Sequence, residues 1–257
     1  MIPCAPEHLA RIQAVPFGGC DDKTWIAGCL AVYVEMIENR VHFAQAAYRD
    51  AEFPWILGDL TVGHPNGEVW EPALGEQLAD TLLEPVGQWC LYFSGKNEPR
   101  RPAADAWLAE HRPPVQWIPD RPLARANEQG MLAPFVAAIR KRRVCVVGPR
   151  HMRGLKGVFT SQWCHLPVPD GTAWKEAATL GRKIQVLAET AGFDLFLIAA
   201  GSGAALTIHR AWPEVKERAT LIDIGATLDP YAGVFSRNLY RTSEWRKHVM
   251  PKNLPNG

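Results

Sequence analysis

The chain has 257 residues, 47% of them hydrophobic and 21% charged, enough for one large domain or two small ones and incompatible with wholesale disorder. Its net charge of +1 excludes a global field for nucleic acid, so any such footprint must be local. Six cysteines without C-x-x-C spacing argue against a zinc site. With no leader at Met1–Glu7 and no apolar run near the ~20 residues of a membrane span, they predict a soluble protein of the reducing cytoplasm.

In chain order, Asp21 or Asp22 caps a predicted helix through Trp25, Leu30, Val34 and Ile37. The mixed apolar segment Val41–Ala44 leads into Tyr48-Arg49-Asp50-Ala51-Glu52-Phe53. His64-Pro65-Asn66-Gly67 reads as a turn, 75–83 as a helix and 104–110 as a short helix among prolines. Trp89–Phe93 and Val115–Ile118 are predicted strands. A helix over 130–139 ends in the cations Arg140–Arg143, well placed for a helix C-terminus, and feeds a strand at 144–147. Further strands are predicted at 164–169, 193–200 and 219–225, with helices at 174–191 and from Gly203 to Trp212. Strands alternating with helices predict an α/β fold, a Rossmann-like, mostly parallel sheet with helices on both faces. One domain is expected, with a helical elaboration over 1–40 and a basic tail over 236–257.

Three loops follow strand ends, where ligands bind in such sheets. They are Gly148-Pro149-Arg150-His151, Gly201-Ser202-Gly203 and the segment from Gly225 to Tyr231 that contains Asp229. The Gly-Ser-Gly turn, opening a helix, suits a diphosphate or simply close packing. It is neither G-x-G-x-x-G nor a P-loop. Arg150 and His151 could neutralise phosphate or act as acid or base. In an extended segment Asp50 and Glu52 point to one face, so both could hold one hard cation, Mg²⁺ or Mn²⁺. A serine hydrolase built from Ser202, His209 or His151, and Asp229 is an alternative, as is a non-catalytic nucleotide-binding module.

The order Tyr48–Phe53, Ile56-Leu57-Gly58, Asn66-Gly67 resembles the N-terminal motif of the GT-D glycosyltransferases, roughly R-Y/F-G-D-G-E before an I-L-G-like run. Asn127-x-x-Gly130, Val146–Pro149, Val168-Pro169 before Trp174, Ile198–Gly203 and Ile222–Gly225 follow in matching order, so the resemblance spans about residues 40–235. Arg49 and Ala51 replace the usual glycines. The resemblance implies a nucleotide-sugar donor such as a UDP-sugar, with a divalent metal on Asp50 and Glu52. Arg49, Gly148, Arg150, Gly201, Ser202, Gly203 and Asp223 would line the donor site. Candidates for the general base are His151, Glu128 and Asp229. The motif order is also similar to that of phage-encoded members. With the basic residues at 140–156 and at Arg237, Arg241, Arg246, Lys247 and Lys252, this suggests a hydroxylated base in DNA as acceptor. A glycan or small-molecule acceptor is the alternative.

Overall fold

The computed structural model describes residues 6–19, 21–48, 52–59, 71–86, 89–92, 101–159, 162–169 and 171–255. Two helices come first, α1 (Pro6–Ala14) and α2 (Lys23–Glu38). Asp22 caps α2, its carboxylate accepting from the N–H groups of Thr24 and Trp25. Then follow β1 (Ala44–Tyr48), α3 (Glu52–Ile56), α4 (Pro72–Leu83), β2 (Trp89–Tyr92), α5 (Arg101–His111), β3 (Gln116–Ile118), α6 (Pro122–Glu128) and α7 (Ala133–Ile139). The second half runs β4 (Val144–Gly148), β5 (Trp163–Pro167), α8 (Ala177–Ala191), β6 (Leu195–Ile198), α9 (Gly203–Val215), β7 (Thr220–Asp223) and α10 (Asn238–Arg241).

The seven strands are all parallel, in the order β3-β2-β1-β7-β6-β4-β5. Parallel strands need long crossovers, so helices cover both faces and the strands carry apolar residues in both directions. Along β4, Val144 and Val146 join the core beneath α2 and α7, whereas Cys145 and Val147 join the core beneath α8 and α9. Leu195 and Leu197 of β6 divide from Phe196 and Ile198 in the same way. This period of two buries the sheet on both sides.

The α/β expectation holds, and the predicted strands after residue 88 fall within a few residues of the observed ones. The central strand β1 was not predicted as one. Its sequence AQAAY lacks β-branched residues and places a glutamine at a fully buried position. The fold satisfies that amide: the Tyr33 hydroxyl donates to Gln45 Oε1 at 2.6 Å, and Gln45 Nε2 donates to the Asp223 carbonyl at 3.1 Å. The predicted helix over 130–139 starts later, at Ala133, after a Gly130 with φ of 75°. A separate helix, α6, precedes it.

The basic C-terminal segment is folded rather than a free tail. Tyr240, Trp245 and Asn253 are buried, and Trp245 Nε1 donates to the Glu128 carbonyl at 3.3 Å. Asn253 Nδ2 donates to the Asn127 carbonyl at 2.8 Å, and its Oδ1 accepts from the Leu132 N–H at 2.8 Å. Among the described residues no helix is long and apolar enough to cross a membrane.

Candidate functional site

In this strand order the chain turns outward in opposite directions from β1 and β7, and such a switch point opens a crevice at the carboxyl ends of the strands. A cleft of about 290 Å³ lies there. Its walls come from five strand ends: Glu52 after β1, Pro149 and His151 after β4, Val168 and Pro169 after β5, Ala199 to Gly201 after β6, and Asp223 and Asp229 at and after the end of β7. Residues far apart in sequence thus meet because each follows a neighbouring parallel strand.

Two 3₁₀ turns, Arg150–Gly157 and Gly225–Ala232, carry the polar core of the site. They press together at Gly154, where a Cβ would lie 2.9 Å from the Ala232 carbonyl oxygen. Glycine is therefore needed for the approach. The contact sets His151 Nε2 3.0 Å from Asp229 Oδ1, with the carboxylate buried and the imidazole part exposed in the cleft. Two residues named separately from sequence as acid–base candidates thus form one hydrogen-bonded pair. Asp223 ends β7, and its Oδ1 accepts the Gly225 N–H at 3.0 Å, which fixes the carboxylate at the floor of the cleft.

The remaining predicted residues separate. Glu52 is buried, 4% exposed, and lines the cleft as the first residue of α3. Asp50 and Arg49 lie outside the described residues. Gly201, with φ of 56°, lines the cleft, but Ser202 and Gly203 do not. Ser202 is fully buried, and a Cβ on Gly203 would meet Trp174 N at 2.7 Å and the Ala173 carbonyl carbon at 2.8 Å. That glycine allows α9 to pack on the 3₁₀ turn Ala173–Glu176. Gly148 is buried against Met152 and Ala199, and Arg150 is exposed; neither lines the cleft. Glu128 belongs to an adjoining smaller pocket.

Of the serine hydrolase set, His151 and Asp229 pair in the cleft, whereas Ser202 is fully buried and does not line it, and His209 Nε2 lies 2.8 Å from the Glu84 carbonyl oxygen.

The cation in the cleft is Arg237, which sequence reading grouped with the tail. Among the described residues no carboxylate forms an ion pair with its guanidinium. No motif marks it; only the fold of the C-terminal segment brings it to the cleft that Asp223 also lines.

A divalent ion fits the donor set in part. Among the described residues no group of three His, Cys, Asp or Glu side chains could hold a metal by itself. The cleft does offer the hard oxygens of Glu52 and Asp223. Mg²⁺ and Mn²⁺ are bound in this manner, through one or two carboxylates completed by substrate phosphates.

No family model matches the chain, and no curated protein matches it. Two solved structures do. One is described as the highly conserved domain of unknown function 1792, with a distinct glycosyltransferase fold. It aligns with a TM-score of 0.50 and 13% identity over 89% of this chain and 83% of that one. The second, a selenomethionine-substituted structure of domain of unknown function 1792, gives a TM-score of 0.52 and 14% identity over the same shares. At these identities the likeness concerns the fold: the chain has the architecture of that glycosyltransferase fold, an all-parallel sheet with its cleft at the strand ends.

Proposed function

We propose that the protein is a metal-dependent glycosyltransferase that moves a sugar from a nucleoside-diphosphate donor to an acceptor hydroxyl. The observation that carries this reading is the convergence of Glu52, Arg237 and the His151–Asp229 pair on one cleft at the switch point of a glycosyltransferase fold. A divalent ion held by Asp50 and Glu52 would neutralise charge on the departing diphosphate. The Arg237 guanidinium adds a fixed positive charge beside it, worth more in a partly desolvated cleft than in water. Gly201 lets backbone come close to a phosphate where any Cβ would intervene.

His151 is placed to take the proton of the acceptor hydroxyl. As the acceptor oxygen bonds to the anomeric carbon, the bond from that carbon to the diphosphate oxygen breaks and its electrons leave with the diphosphate. The proton passes to His151 and then to solvent. Asp229, with its Oδ1 on the ring nitrogen, orients the imidazole and stabilises the imidazolium that forms.

A thermal-shift screen of UDP-, dTDP- and GDP-sugars with and without Mn²⁺ tests the donor assignment. Stabilisation that needs both nucleotide sugar and metal is the expected result, followed by release of nucleoside diphosphate when acceptor is added. Binding without release from any acceptor would leave a nucleotide-binding module instead.

For the acceptor, the exposed cations Arg153, Lys156, Arg241 and Arg246 favour a nucleic-acid backbone, and with it a hydroxylated base in DNA of the kind phages modify. Retardation of duplex DNA in a gel at low salt, lost as salt rises, is expected. No retardation even at the lowest salt would exclude this acceptor and leave a glycan or small molecule.

A further inference from the structure

A smaller pocket opens on the β3 side of Asp223 and is not explained by diphosphate chemistry. It measures about 100 Å³, against about 290 Å³ for the main cleft. Asp223 and Arg237 line both it and the main cleft, so the two spaces adjoin across these side chains. The far wall carries Arg121 and Glu128, both only part exposed.

Glu128 is held in place. Arg125 Nη1 donates to its Oε2 at 2.7 Å, and Arg125 Nε donates to the buried Asp120 at 2.7 Å. Burial works against charge on Arg125, yet the attraction of Asp120 and Glu128 raises its pKa, so the pair stays ionic. Oε1 of Glu128 has no partner among the described residues. Two carboxylates balance the two guanidiniums that line the pocket, so it carries no net positive charge to draw a phosphate in. Tyr240, the pocket's aromatic residue, is 2% exposed and presents no face on which a base could stack. Carboxylates and guanidiniums around one void do match vicinal hydroxyls, each of which donates once and accepts as well.

We infer that this pocket is a sugar subsite, in which Glu128 and Asp223 accept from the hydroxyls along one edge of a pyranose while Arg121 and Arg237 donate to them. It rests on the glycosyltransferase reading only for where the ring comes from, the donor's sugar or a terminal sugar of the acceptor. The pocket has about a third of the main cleft's volume, which suits the edge of one ring beside a larger group held in the cleft. A site built to bond hydroxyls discriminates strongly against a ring that lacks or misplaces one, so these residues set sugar specificity.

The test uses the full chain with Mn²⁺. Calorimetry compares UDP-, dTDP- and GDP-glucose with the matching nucleoside diphosphates. Saturation-transfer NMR follows methyl glucoside and methyl galactoside. Each is repeated on Glu128→Gln, on Arg121→Gln, and on Ala124→Leu, which fills the pocket from a different wall; thermal midpoints identify any variant that fails to fold. At least about tenfold weaker binding of the nucleotide sugar, with the nucleoside diphosphate unchanged, supports the subsite and assigns the ring to the donor. Loss of the glycoside signal with nucleotide-sugar binding unchanged supports it and assigns the ring to the acceptor. If every folded variant binds all sugar ligands as the wild type does, or the wild type binds none, the subsite is overturned. If the wild type binds glycosides but no nucleotide or nucleotide sugar, the donor reading fails while the variant comparison still decides the pocket.

Discussion

Glu52→Gln is expected to remove the Mn²⁺-dependent stabilisation proposed for a nucleotide sugar, and to slow the proposed transfer by about 10²–10³-fold. The substitution keeps shape and one hydrogen-bonding oxygen while deleting the charge that a hard cation requires. Glu52 is buried, 4% exposed, in the cleft wall. At a ligand concentration 100 times Kd the stabilisation at stake is about 2.7 kcal/mol. In a domain of this size that is a shift in Tm of about 5–10 °C. Asp50→Ala should behave in the same way. Ligand-dependent shifts that remain at wild-type size in both variants would reject the metal assignment, whatever the fold.

The second large effect concerns the His151–Asp229 pair. His151→Ala is expected to lower kcat by about 10²–10⁴-fold while leaving donor affinity within a factor of a few, since in the proposed reaction the imidazole acts on the acceptor proton and not on the diphosphate. Asp229→Asn should follow it. The amide preserves the shape of the buried side chain but cannot hold the ring nitrogen as a carboxylate does, nor stabilise the imidazolium. The double variant should lose little more than the worse single one, since two groups acting as a unit are not additive. Steady-state kinetics with saturating donor checks this. A rise in KM for the donor with kcat unchanged would place the pair in donor binding instead.

Much of the fold is legible in the residues. The runs at 144–147, 195–198 and 220–223 are short, apolar and bounded by polar or glycine-containing segments, as strands buried on both faces must be. The capping aspartate before α2 is a local signal and holds. β1 is not legible. Ala44–Tyr48 has no strong strand preference of its own and becomes the centre of the sheet because β2 and β7 pair with it and Tyr33 satisfies its glutamine. The two strand partners lie about 45 and 180 residues away and leave no periodicity in the strand itself.

The site divides along the same line. That loops after β4, β6 and β7 would carry chemistry followed from sequence, since a parallel sheet gathers its strand ends on one side. Which members of those loops reach the cleft did not. Gly201 and Gly203 look equivalent in the chain, yet one lines the cleft and the other accommodates Trp174. Arg150 seemed the phosphate cation from its place beside His151, but the 3₁₀ turn leaves it exposed, and Arg237 lines the cleft instead. The sequence by itself determined an α/β chain with a parallel sheet, because local patterning dictates burial. Only the tertiary structure decided the His151–Asp229 pairing, the place of Arg237 in the cleft and the second pocket. Each depends on close approach between segments that no local pattern encodes, as Gly154 against Ala232 illustrates.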